Sequence, residues 1–192
     1  MNIIKSLFIT LVTASLLYSC GTSDEDTIIP DQREAITQFL DNNELEYEEV
    51  NSVFRHFPSP RTSNPDAPVV KQGDEVGIYF ELYNATYTKQ NGSLAPVPTT
   101  ALYSNKKFIQ DTLRKLNLNT EYWPSYEEPL NAKVGSGELI TGLNRGLVGC
   151  RKGDSVLLFI TSNLAFGEKP TSIIPANTAI LYIVNIQTVN NQ

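Results

Sequence analysis

Few side chains in this sequence belong to types that do covalent or acid–base chemistry, and those few stand far apart. There is one histidine, His56, and there are two cysteines, Cys20 and Cys150. Cys150, between "GLVG" and "RKGDS", has no histidine near it in sequence to draw off its proton, so it reads as a small buried apolar residue rather than a nucleophile. His56 reads as a surface residue. No cluster of His, Cys, Asp and Glu has metal-ligand spacing, so neither a metal nor a cofactor is expected. What stands out instead is apolar side chains in unusual places. "GELITGLNRGLVG", residues 137–149, follows the pair Leu139-Ile140 with a helix start that contains two glycines. A glycine inside a helix costs about 1 kcal/mol relative to alanine, so close packing or a tight backbone path is implied. "NLAFGEKPTSIIPAN" carries Ile173-Ile174 on an irregular segment where polar residues are the rule, which suggests a binding wall. Tyr122, Trp123 and Tyr126 in "NTEYWPSYEEP" are either a loop pinned to the core or a platform for carbohydrate or peptide, and both readings are open.

The elements that must position these residues are short. "DQREAITQFLDNNEL" reads as an amphipathic helix within residues 31–46, with Pro30 before it, Asp31 as its cap and Glu34 completing a capping box. Ile36, Phe39 and Leu40 form its apolar face. From Tyr47 onward short β-branched and aromatic runs alternate with turn signals. "GDEVGIYFELYNATY" turns at Gly73-Asp74 and then spaces Val76, Ile78 and Phe80 by two, as a half-buried strand requires. "DSVLLFITS" and "TAILYIVNIQTV" are two further strands, the second long enough to be central. "KKFIQDTLRKLNL" reads as a helix with Phe108, Leu113 and Leu116 inward.

The N-terminal end reads as an export signal over residues 1–19: Lys5 is positive, Leu7 to Leu17 is apolar, and small or polar residues follow. A membrane span competes with that reading, but Thr10, Thr13 and Ser15 interrupt the stretch, which falls short of the roughly 20 residues a bilayer core needs. "LYSC" at 17–20 resembles the lipobox of bacterial lipoproteins, which implies cleavage before Cys20 and lipidation of it; a disulfide with Cys150 is the other possibility. Residues 20–30 then form a flexible, lipidated tether. Its "SDED" resembles the acidic export signal of Bacteroidetes surface lipoproteins, or is a plain solvated spacer. An exported lipoprotein of the outer membrane, on its periplasmic face or the cell surface, is therefore expected. Without residues 1–19 the chain keeps 14 basic and 21 acidic side chains, a formal charge of −7. That opposes nucleic-acid binding, which depends on Lys and Arg neutralising phosphates.

The stretch "PLNAKVGSGELITGLNRGLVGCRKGDSVLLFITSNLAFGEKPTSIIPANTAILYIVNIQ" resembles the FKBP-type peptidyl-prolyl isomerase family over residues 129–187, in motif order and nearly all spacings, and "GDEVGIYFEL" resembles the family strand that carries a pocket tyrosine. The resemblance implies an α+β fold, an FKBP-like antiparallel β-sheet wrapped around a short helix, occupying residues 47–192 with an insertion near 87–128. It implies cis/trans isomerisation of X-Pro bonds in exported polypeptides, with no cofactor. Carried over by position, the catalytic residues are Phe80, Ile140, Phe166 and Tyr182. The Ile140 N–H is the expected donor to a ligand carbonyl. Substrate-binding positions are Tyr103, Ser104, Leu130, Leu139, Leu143, Ile173 and Ile174. Three positions depart from the family pattern. Phe166 lacks a tyrosine hydroxyl, Leu143 stands where a tryptophan forms the pocket floor, and Ser104 replaces a carboxylate. These departures keep a non-catalytic peptide-binding or chaperone lipoprotein in view beside the isomerase, with a surface glycan-binding lipoprotein as a third reading.

Overall fold

The computed structural model describes residues 24–61, 66–85, 101–116 and 128–191. Along the chain these form α1 (Asp24–Asn42), β1 (Tyr47–Val50), β2 (Val53–His56), β3 (Glu75–Asn84), β4 (Tyr103–Ser104), α2 (Lys107–Lys115), β5 (Leu130–Lys133), α3 (Thr141–Leu147), β6 (Ser155–Ile160), a 3-10 turn at Ser162–Leu164, and β7 (Ile180–Asn190). The strands make one antiparallel sheet in the order β1-β2-β6-β7-β3-β4, and β5 pairs with β3 on the same edge as β4. The expected mixed α+β architecture is thus present, with β7 central between β6 and β3.

Side-chain alternation along these strands divides the interior in two. Ile78, Phe80 and Leu82 on β3, Val156, Leu158 and Ile160 on β6, and Tyr182, Val184 and Ile186 on β7 face one core together with α3. Phe159 and Leu181, from the intervening positions, face a second core closed by Ile36, Phe39 and Leu40 of α1. A period of two makes this inevitable once the register is set, because neighbouring residues on a strand point to opposite faces. Burying each large α1 side chain is worth about 1.5–3 kcal/mol relative to leaving it exposed.

The glycines of α3 are explained by its approach to the sheet. A Cβ on Gly142 would collide with Ile160 Cγ2, and one on Gly146 would lie 2.9 Å from both Leu158 methyls and 3.2 Å from Val53 Cγ1. Both glycines sit four apart on the same helix face, so the helix backbone itself rests on β6 and β2. The hairpin joining β1 to β2 is similarly tight. Val50 pairs with Val53 across Asn51 and Ser52, both with positive φ, the geometry that matches the twist of a two-residue hairpin.

Three expectations are corrected. The first helix starts at Asp24, so residues 24–30, read as tether, are helical, Pro30 lies inside the helix, and Asp31 is not its cap. The helix ends at Asn42, short of residue 46. Ile28 and Ile29 are partly buried, and Gln32 fastens this part of the helix to the Ser162 N–H and the Asn177 carbonyl. In α2 the buried residues are Gln110 and Leu113, whereas Phe108 and Leu116 are 78% and 62% exposed. Gln110 takes the inner face because its amide has backbone to bond there, as described below. Cys20 and the signal segment lie outside the described residues, as do Tyr122, Trp123 and Tyr126.

Gly142→Ala is expected to lower stability by about 1–3 kcal/mol through overpacking against Ile160, whereas an alanine at an open helix position would raise it. Urea denaturation followed by far-ultraviolet circular dichroism measures the difference.

Candidate functional site

Three aromatic rings line the sheet face that looks onto α3. Leu82 of β3 pairs with Tyr103 on one side and Tyr182 on the other, which places both rings diagonally next to Phe80. The Phe80 ring centroid is 5.7 Å from that of Tyr103, at 40°, and 5.7 Å from that of Tyr182, at 56°. Tilted pairs at such separations avoid stacking like-charged ring faces. Phe80 and Tyr182 are buried, and Tyr103 is partly exposed. Burial pushes the phenol of Tyr103 up from its usual range, and pushes that of Tyr182 up further, with the charge of Tyr103 adding to the effect.

Below and beside the rings come the contributions of α3 and two loops. Leu139 and Leu143 are buried in the same cluster, and Ile140 and Phe166 pack against it half-buried. Ile174 is buried in this cluster, while its neighbour Ile173 is 44% exposed. Ile140 stands at the N-cap of α3, where its carbonyl accepts from the Asn144 N–H at 3.0 Å. Its own N–H makes no hydrogen bond to any described residue. The Asn144 side chain ties the approach to this helix, donating to the Leu139 carbonyl at 2.8 Å and accepting from the Gly135 N–H at 2.7 Å.

Polar side chains hold the site in shape, and two of them, Asn105 and Gln110, were missed by sequence reading. The edge of β3 is shared by β4 and β5, and the gap between them at Phe80 is filled by side chains. Asn105 Oδ1 accepts from the Phe80 N–H at 2.8 Å, and Asn105 Nδ2 donates to the Ile78 carbonyl at 3.0 Å. Ser104 Oγ donates to the Phe80 carbonyl at 2.6 Å and accepts from the Lys106 N–H at 3.0 Å. Gln110, fully buried on α2, donates to the Ser104 carbonyl at 2.7 Å. Thus Ser104, expected to meet substrate, directs its hydroxyl to the protein backbone. Leu130 pairs with Ile78 at the start of β5 and is 38% exposed, outside the aromatic cluster.

The segment between β6 and β7, which carries Phe166, Ile173 and Ile174, is held by the first helix. Gln32 of α1 accepts from the Ser162 N–H at 2.8 Å and donates to the Asn177 carbonyl at 2.8 Å, bridging the two ends of the loop. Only long-range contact joins these residues, so no local sequence signal marks Gln32. The other chemically capable side chains are His56, on β2, and Cys150, in the core that also holds the site residues. His56 Nδ1 pairs with the Glu46 carbonyl at 2.7 Å. Cys150 is a free, fully buried thiol pushed up to about 11 by burial, with the Arg55 guanidinium opposing that shift.

Comparison with known proteins settles the lineage. A family model described as FKBP-type peptidyl-prolyl cis-trans isomerase matches residues 69–187. The chain belongs to this family. It is 41% identical over 56 residues to FK506-binding protein 1A of Neurospora crassa, covering 29% of this chain and 47% of that protein. It is 38% identical over 60 residues to FK506-binding protein 5 of Dictyostelium discoideum, covering 31% of this chain and 4% of that one. The match thus spans about half of the Neurospora relative and a small part of the Dictyostelium one. A crystal structure of a peptidyl-prolyl cis-trans isomerase from Pseudomonas syringae pv. tomato superposes with a TM-score of 0.53 at 13% identity, over 87% of this chain and 96% of that one, a likeness of fold. The matched region of this FKBP-type chain begins after α1, β1 and β2, so the helix that bridges the loop through Gln32 lies outside it.

Gln32→Ala is expected to leave the sheet intact and to speed amide hydrogen exchange over residues 162–177, because both ends of that loop lose a tie. Exchange measured by mass spectrometry checks this, and unchanged protection there would refute the bridging role. In a Cys20→Ser chain, where Cys150 is the remaining thiol, a thiol reagent at about pH 8 should react slowly with folded protein and fast in denaturant. The raised value means that ionising Cys150 opposes folding, so its contribution to stability is full below the usual thiol pKa of about 8.5 and declines as pH climbs through it towards the folded value.

Proposed function

We propose that this protein catalyses cis/trans isomerisation of X-Pro bonds in exported polypeptides, as a lipoprotein anchored to the outer membrane through Cys20. The observation that carries the catalytic part is the gathering of Phe80, Tyr103, Tyr182, Leu143, Phe166 and Ile174 into one apolar cluster beside an Ile140 N–H left without a partner among the described residues. The anchor rests on the lipobox-like "LYSC" and on the acidic segment that follows it.

The chemistry asks little of the side chains. Rotation about a peptide C–N bond is opposed by amide resonance, with a barrier of about 18–20 kcal/mol for peptide bonds in general. The twisted imide has lost that resonance and the charge separation that goes with it. An apolar, water-poor surface that grips the proline ring therefore disfavours the planar ground state relative to the twisted one. The rings of Phe80 and Tyr182 and the side chains of Leu143 and Ile174 supply the apolar surface. Ile140 supplies the backbone donor that orients the peptide. No nucleophile takes part: the Cys150 thiol lies in the same buried core, where burial holds it protonated, and the His56 ring is engaged with the Glu46 carbonyl.

A second reading, a peptide-binding module without appreciable catalysis, is favoured by the Ser104 hydroxyl being engaged with Phe80 and Lys106 and by the missing hydroxyl at Phe166. Phe166→Tyr, at a half-buried position, separates the two. A weakened isomerase is expected to gain roughly 2- to 12-fold in kcat/KM from one restored hydrogen bond, in a protease-coupled assay with a proline tetrapeptide on the full chain. No acceleration over the uncatalysed rate by either protein, both correctly folded, would sink the enzyme reading.

A further inference from the structure

We propose that Tyr182 Oη donates the hydrogen bond to the carbonyl of the bound X-Pro peptide, the contact for which residue 166 has no hydroxyl. The proposal rests on the isomerase site described above and names the group that grips its substrate.

The Tyr182 ring is 8% exposed and packed against Phe80, on the central strand β7. Its hydroxyl, by contrast, makes no hydrogen bond to any described residue. A buried phenol without a partner is costly and rare, since tyrosine hydroxyls taken out of water almost always find one. The buried side-chain polar atoms that lack a partner among the described residues are Arg55 Nε and Asn84 Oδ1, and Tyr182 Oη is not among them. The two facts together mean that the ring is enclosed while the oxygen still touches accessible space. The ring touches Phe80, which touches Tyr103, and all three belong to the cluster that holds Leu143 and Phe166. The accessible oxygen therefore terminates a ring of the cluster in which the proline is to sit.

A donor there has two advantages. It is carried by a strand with paired neighbours on both sides, Leu158 on β6 and Leu82 on β3, so its position is set before substrate arrives. Its surroundings are apolar, which strengthens a hydrogen bond relative to one in water. Burial also keeps the phenol protonated, hence a donor, well above the pH at which a free tyrosine ionises. A free N–H at Ile140 and a free hydroxyl at Tyr182 then offer two donors on the two sides of the apolar surface, one from the helix start and one from the sheet.

The test is Tyr182→Phe in the full chain, which removes one oxygen and keeps the ring. With a proline tetrapeptide, kcat/KM is expected to fall roughly 2- to 12-fold, the worth of one net hydrogen bond, with no fall in the thermal midpoint because the oxygen has no partner among the described residues. In wild-type protein carrying tyrosine labelled with 13C at the ring carbon that bears oxygen, the resonance missing from the variant's spectrum should shift when peptide is added. If wild type isomerises and the variant matches it, the hydroxyl's role is overturned and the isomerase reading stands. A loss that tracks a lower thermal midpoint, with the resonance unmoved by peptide, overturns it as well. If wild type does not isomerise yet the resonance shifts with peptide, the hydroxyl's role is supported and the catalytic reading fails. If wild type neither isomerises nor responds to peptide, both fall.

Discussion

The contact on which the rest of the structure depends is the bare approach of α3 to the sheet. At Gly142 and Gly146 no side chain separates the helix backbone from Ile160, Leu158 and Val53. Any Cβ there would push the helix outward, and with it Ile140 at the N-cap and Leu143 one residue into the second half of that turn. The conformational cost of placing two glycines in a seven-residue helix is accepted because the helix gains a position that a larger residue would forbid. Leu143 sits fully within the core as a consequence, which leaves the aromatic rings of the sheet to form the wider part of the apolar surface.

The sheet carries the site on one face and its brace on the other. Strict alternation sends Phe80 and Tyr182 towards α3 and sends Phe159 and Leu181 towards α1. The first helix thus has no part in the aromatic cluster, yet through Gln32 it holds both ends of the loop that contributes Phe166 and Ile174. Rigid placement of a loop by a neighbouring element is what allows apolar residues to remain presented rather than collapse into the nearest core. Contact between the N-terminal helix and the loop that carries Phe166 and Ile174 follows from this geometry alone.

Polar groups in the site do structural and recognition work separately. Ser104, Asn105 and Gln110 are buried and fully turned inward, where they complete the hydrogen bonding of a strand edge that β4 and β5 leave open at Phe80. The Ile140 N–H and the Tyr182 hydroxyl are the groups left over. On the proposed reading, the apolar rings would give affinity for a proline and the two donors would give it an orientation.

Much of the fold was legible in the sequence because it rests on local pattern. The alternation of Val76, Ile78 and Phe80, the long apolar run of β7 and the glycine spacing of α3 follow from periods of 2 and 3.6 that any reader of the chain can count. Motif order likewise placed Leu139, Ile140, Phe166, Ile174 and Tyr182 in one neighbourhood. Local pattern failed where distant contacts took over. Pro30 lies inside a helix that Gln32 ties to the segment between β6 and β7, and Phe108 faces outward while Gln110 donates to the Ser104 carbonyl beneath α2. Nothing near Gln32, Ser104 or Asn105 in sequence announces the bonds of Gln32 to Ser162 and Asn177 or those of Ser104 and Asn105 to Phe80, since these partners lie 24 to 145 residues away. The sequence by itself determined which residues are apolar, where the chain turns and which family pattern it follows. Tertiary structure alone decided which polar groups are satisfied and which are not, because hydrogen-bond satisfaction depends on groups that only folding brings within 3 Å of each other.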